Sequence, residues 1–147
     1  MRSWHFGRRS GLAVASILTL FVFACGGEAQ EVTVSLKEWS VSPARAEVKA
    51  GKVRFVAVND GTEPHELVIV RTDLPIESLP VVDEKVDEDK VDIVAEIEPF
   101  AAGGRESKTV DLKPGRYALI CNIVERMPGM THGHNLLGMR AGFTVRP

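Results

Sequence analysis

Cys121, Met127, Met130, His132, His134 and Met139 crowd into one late stretch of the chain. Beyond the first residues only one other histidine occurs, His65, which heads the run His65-Glu66-Leu67-Val68-Ile69-Val70 directly after an Asn59-Asp60-Gly61 turn. Thiolate, thioether and imidazole are ligands for transition metals. Two imidazoles, one thiolate and one long axial thioether are the set of a type 1, or blue, copper centre. Taken singly, each residue has a plainer reading. A lone interior cysteine behaves as a small hydrophobe, methionine fills gaps in a loop, and a histidine after a turn is usually a hydrogen-bonded surface residue. The combination, confined to so few positions, points to one bound metal ion.

These residues need strands to hold them. Val32, Val34 and Leu36 alternate with Thr33, Ser35 and Lys37, the period of a strand with one buried face, and Trp39 and Val41 are expected to continue that face as far as Ser42-Pro43. Val48 and the run Lys52–Val58 read as a hairpin about Ala50-Gly51, Leu67–Arg71 as an apolar strand, and Lys108–Leu112 with Arg116–Cys121 as two strands about Pro114-Gly115. Gly142–Arg146 closes the set. In Arg116–Cys121, alternation puts Tyr117, Leu119 and Cys121 on one face, so the thiol points into the core at its edge. About seven short strands predict an all-β, Greek-key antiparallel sandwich. The stretch from Thr72 to Gly104, rich in acidic residues, reads as a solvated connection between sheets carrying a short helix near Asp87–Val94. Its carboxylates lack the spacing of a calcium loop.

The chain of 147 residues has room for one domain. Arg2, Arg8 and Arg9 precede an uncharged apolar run from Leu12 to Ala24, which predicts an export signal over 1–24, a linker over 25–30 and a domain over 31–147. Val22-Phe23-Ala24-Cys25-Gly26-Gly27 resembles a lipobox, so Cys25 is the expected site of lipidation and the membrane partner is a lipid anchor. Cleavage around Gly27–Gln30 is the alternative, and Arg8-Arg9 also fits twin-arginine export. The expected location is the periplasm or the outer face of the cell membrane. Loss of the three arginines carries the formal net charge from −2 to −5, which disfavours nucleic acid as a partner. With Cys25 lipidated, Cys121 would be an unpaired thiol in an oxidising compartment, where a bound metal protects it.

The pattern Pro114-Gly115-x-Tyr117-x-x-x-Cys121, then His134-x4-Met139 and a final Phe143-x-Val145 strand, resembles the copper-binding end of the cupredoxins. Asn59-x-Gly61-x3-His65-Glu66-Leu67 resembles their first histidine motif, and the likeness runs from about Val32 to Val145. It implies a plastocyanin- or azurin-like sandwich with one copper ion at one end, and the sulfocyanin-like members suit a lipid anchor. Carried over, His65 and His134 bind through ring nitrogens, Cys121 through its thiolate and Met139 as the axial thioether. The chain departs from the pattern in the loop Asn122–Gly133, which places twelve residues between cysteine and histidine where the family uses a handful. His134 keeps the four-residue gap to Met139 while His132 leaves six, so His132, with Met130, is an alternative ligand.

The resemblance implies one-electron transfer between extracytoplasmic redox partners by a monomer that is not an enzyme. Its expected docking surface is an apolar collar of Met127, Pro128, Met130, Leu136 and Leu137 around His134 at the exposed end. The alternatives are a periplasmic copper-binding or copper-delivery lipoprotein using Met127, Met130, His132 and Met139, and a metal-free interaction module.

Overall fold

The computed structural model describes Met1 and residues 28–147; the expected export signal beyond Met1, Cys25 and half of the expected linker lie outside the described residues. The first strand, β1 (Gln30–Lys37), buries Val32, Val34 and Leu36 as its alternation requires. The chain then reverses at Glu38 and Trp39 into β2 (Ser40–Pro43), which pairs antiparallel with β1. Trp39 therefore does not continue the first strand. It occupies the corner of a hairpin.

β3 (Glu47–Lys49) and β4 (Gly51–Asn59) are not the hairpin expected about Ala50-Gly51, because they belong to different sheets. β3 pairs parallel with the last strand, β13 (Arg140–Arg146), whereas β4 lies between β1, to which it is parallel, and β9 (Arg105–Leu112), to which it is antiparallel. The single residue between them, Ala50, carries the chain from one sheet to the other. One sheet has the order β2-β1-β4-β9. The other has the order β3-β13-β10-β5-β8, with β5 (His65–Arg71), β8 (Asp92–Phe100) and β10 (Gly115–Ile120). The architecture is the expected all-β sandwich, built from mixed sheets with two parallel pairs.

The facing sheets enclose one core. Val34, Leu36, Phe55 and Ala57 from the first sheet meet Leu67, Ile69, Tyr117, Leu119 and Phe143 from the second. Phe55 and Phe143 cross edge to face with ring centroids 5.4 Å apart, the arrangement the ring quadrupoles favour. Tyr117 keeps its hydroxyl satisfied by donating to the Lys113 carbonyl at 2.7 Å.

The mid-chain connection does more than cross between the sheets. The helix expected near Asp87–Val94 is a single 3-10 turn at Glu88–Lys90, and the acidic sequence after it forms β8, an edge strand whose Ile97 is buried. Ahead of that turn, β6 (Val81–Val82) and β7 (Lys85–Val86) form a small ribbon. From this segment Leu79 and Val86 pack on Val68, Val70, Ala118 and Ile120, the outer face of β5 and β10. Those two strands are thus covered on both faces, which is why Leu67–Val70 is a continuous apolar run.

The loop from Asn122 to Gly133 is also ordered. β11 (Val124–Met127) and β12 (Met130–Gly133) pair antiparallel and lead into a four-residue helix, α1 (His134–Leu137). Among the described residues no helix is long and apolar enough to cross a membrane. Phe55→Ala should cost about 3–5 kcal/mol in urea unfolding, through lost transfer energy and the cavity left against Phe143. Val82→Ala, at an exposed site, should cost less than about 0.5 kcal/mol.

Candidate metal centre

Strand register brings the sequence-predicted residues to one end of the second sheet. Ile120 stands opposite Val68 on β5 and opposite Arg140 on β13, so the next residue, Cys121, comes level with Leu67 and Met139. The Cys121 N–H donates to the Met139 carbonyl at 3.1 Å, and the Met139 N–H in turn donates to the His134 carbonyl at 3.0 Å. His65, the first residue of β5, and His134, the first of α1, close the group. His65, Cys121, His134 and Met139 are all 0 % exposed.

The donor atoms converge. Cys121 Sγ lies 3.4 Å from His134 Nδ1 and 3.9 Å from His65 Nδ1, and one donor atom from each of the three residues lies within 4.8 Å of the others. The two imidazoles meet edge to face with centroids 5.2 Å apart. Met139 packs in the same buried cluster as Cys121. Among the described residues Cys121 is a free cysteine.

What aims His65 is a carboxylate that the sequence did not single out. Glu38 Oε1 sits 3.1 Å from His65 Nε2, so that nitrogen carries the proton and donates, leaving the Nδ1 lone pair directed toward the thiol. The same oxygen accepts from the Thr62 N–H at 2.7 Å and the Glu63 N–H at 2.9 Å. Burial pushes the Glu38 carboxyl upward, but the N–H groups of Glu63 and Thr62 and the nearby His65 outweigh it and hold the carboxyl down at about 2. Asn59 secures the same loop from the other side, donating to the Glu63 and Phe100 carbonyls and accepting from the Gly61 N–H.

The thiol is cut off from solvent. Burial pushes Cys121 up to about 11, a group that ionises when a metal displaces its proton. Burial likewise lifts Glu66 to about 7, although the Asn122 N–H donates to its Oε1 at 2.9 Å. His134 is lowered, first by burial and then by its neighbour His65. Asn122 ties this end of β10 to the outer segment, accepting from the Val86 N–H at 2.7 Å and donating to the Val86 carbonyl at 3.0 Å.

The sequence reading put His134 at the exposed end, and the structure corrects this. The β11–β12 hairpin absorbs the long spacing between Cys121 and His134, while the Trp39 ring abuts the His134 ring edge to face with centroids 5.0 Å apart. Two glycines allow the fit. A Cβ on Gly133 would fall 1.6 Å from the Glu84 carbonyl oxygen, and Gly138, which caps α1, adopts φ 127° with a Cβ position 2.9 Å from the Trp39 carbonyl oxygen. His132 stacks on His134 at 16° and a centroid distance of 6.2 Å, outside the thiol group. Met130 lies at the hairpin tip, 56 % exposed, and does not enter the buried group.

Glu38, Asn59, Trp39 and Asn122 were not identified from the sequence, because each acts across a turn or between sheets. Asn59 alone carried a signal, in the Asn59-Asp60-Gly61 turn and the first histidine motif that it opens.

The sequence profile described as "Cupredoxin-like domain" matches residues 12–132, ending just before His134. The chain is 28% identical over 132 residues to the iron uptake system component EfeO of Yersinia pestis; the match covers 88% of this chain and 30% of that protein. The chain therefore spans less than a third of the curated relatives it matches. Its fold is similar to reduced auracyanin from Roseiflexus castenholzii, with TM-score 0.57 and 21% identity over 82% of this chain and 100% of that one. It is also similar to auracyanin A, described as a "blue" copper protein, from Chloroflexus aurantiacus, with TM-score 0.54 and 17% identity over 81% of this chain and 100% of that one. With its sandwich and its buried His-Cys-His group consistent with a copper ion, the chain belongs to the cupredoxin-like domain family.

Proposed function

We propose that this chain is a type 1 copper protein that transfers single electrons outside the cytoplasm, with His65, Cys121 and His134 as equatorial ligands and Met139 as axial ligand. The observation that carries the reading is the convergence of two Nδ1 atoms on one buried thiol. The donor set fits: a soft sulfur with two borderline nitrogens, fully buried and with His65 held in the needed tautomer. Copper, when bound, supplies a one-electron couple whose potential follows the axial ligand and the polarity around the cysteine sulfur.

The chain's contribution is rigidity and exclusion of water. Glu38 fixes the His65 ring, the Cys121–Met139 backbone bond fixes the sulfur against β13, and Trp39 packs against the His134 ring. Donors that need not move when charge changes keep reorganisation small. These residues leave no open position for a substrate, which supports a carrier and not an enzyme. Exposed Met127, Met130, Leu136 and Leu137 are the docking surface we propose for a redox partner, in place of direct contact through His134. The arginine-flanked apolar run ending at Cys25 supports an exported, lipid-anchored protein.

A second reading, copper capture for delivery, is favoured by the exposure of Met127 and Met130, whose thioethers suit Cu(I). It predicts tight Cu(I) binding that weakens at least tenfold in a Met127→Leu, Met130→Leu double variant.

Protein loaded with one equivalent of Cu(II) should show an intense visible thiolate-to-copper band and a reversible one-electron voltammetric wave. Cys121→Ser should abolish the band, whereas Met139→Leu should keep it and raise the potential. Cu(II) uptake with no intense visible band would refute the type 1 assignment. Glu38→Ala removes a partly exposed charged acceptor from two N–H groups and His65, and should cost about 1–2 kcal/mol in urea unfolding of the metal-free protein. A loss below about 0.5 kcal/mol would show that the loop holds His65 without it.

A further inference from the structure

His134 has a second nitrogen, and its surroundings are not those of an ordinary hydrogen bond. Nδ1 faces the thiol, while Nε2 is buried and has no hydrogen-bond partner. Two carboxylate oxygens flank it, Glu63 Oε2 and Glu125 Oε1, each at 3.8 Å. That is too long for a hydrogen bond. His132 Nε2 and Glu63 Oε2 are likewise buried without a partner, and His132 Nε2 lies 3.2 Å from Glu125 Oε2. Three buried polar atoms, His134 Nε2, His132 Nε2 and Glu63 Oε2, thus lack a hydrogen-bond partner beside the Glu125 carboxylate, which is costly unless something else is bound there.

We infer that His132, His134, Glu125 and Glu63 form a second cation site, set against the thiol centre and sharing His134 with it. One donor atom from each of Glu125, His132 and His134 lies within 4.8 Å of the others. A tetrahedral ion with bonds of about 2.0–2.2 Å separates its ligands by about 3.3–3.6 Å. The observed spacings of 3.2 and 3.8 Å bracket that edge length. The near-parallel stacking of the two imidazoles lets both present Nε2 to the same space.

The donor chemistry selects the ion. Two nitrogens with two carboxylates suit a borderline divalent cation such as Zn2+, and suit Ca2+ or Mg2+ poorly because those prefer oxygen alone. The cation takes the place of the His134 Nε2 proton, which leaves to solvent, and His134 then spans both centres as an imidazolate. Glu63 and Glu125 are partly exposed and give the ion a way in. The sharing of His134 rests on the copper reading, whereas the second site itself does not.

The test adds Zn2+ alone to metal-free and to copper-loaded protein, and follows uptake by chelator competition and the zinc shell by X-ray absorption. Copper-loaded protein should take up one Zn2+ in a nitrogen and oxygen shell without sulfur, and its visible band should shift but persist. Glu125→Gln and His132→Ala should each weaken zinc binding at least tenfold while the visible band remains. Glu106→Gln, on the far strand β9, should change nothing. No zinc uptake, a sulfur-containing zinc shell in copper-loaded protein, or uptake unaffected by Glu125→Gln and His132→Ala would overturn the site. If the visible band never forms yet zinc binds with the same dependence on Glu125 and His132, the second site stands and the copper reading falls.

Discussion

Three strands meeting in fixed register determine where the buried donors lie. β10 is held between β5 and β13, and because Ile120 is paired on both sides, the residue after it has no freedom to turn away. Cys121 must emerge beside Met139 and near the start of β5. A shift of one residue in either pairing would turn the thiol to the outer face and replace it with Ile120. Such a slip would also turn Tyr117 and Leu119 out of the main core, so the packing of that core enforces the geometry of the centre.

The covering of both faces of β5 and β10 strengthens that constraint. Leu79 and Val86 occupy the outer side, and Asn122, the residue after the cysteine, is tied to their segment by paired bonds to Val86. The sulfur therefore sits at the end of a strand held from both sides, and Glu38 aims the His65 ring from the turn after β1. Structure that would ordinarily be described as packing also sets which lone pairs face the buried thiol.

Much of this was legible in the sequence. Alternation at Val32, Val34 and Leu36 announces its strand, and the spacing of Pro114-Gly115, Tyr117, Cys121, His134 and Met139 picks out residues that the fold gathers. Other features were hidden for physical reasons. Trp39 has the hydrophobicity of a strand residue but occupies a reversal, and only the pairing of β1 with β2 settles this. The acidic content of β8 resembles a solvated linker because an edge strand turns much of its surface to water. Val48 and Val53 are close in sequence and belong to opposite sheets, which no local pattern encodes. Glu38 carries no local sequence signal, since its three partners lie in the loop after β4 and at the head of β5, more than twenty residues along the chain.

The hairpin between Asn122 and Gly133 has a consequence for how such proteins diversify. Val124 pairs with Gly133 at its base, while Met127 and Met130 pair at its tip. Residues added or removed in matched pairs beyond the base would lengthen or shorten the protrusion without displacing Cys121 or His134. The tip is thus a replaceable appendage, whose length and sequence can change while the buried arrangement of His65, Cys121 and His134 stays as it is.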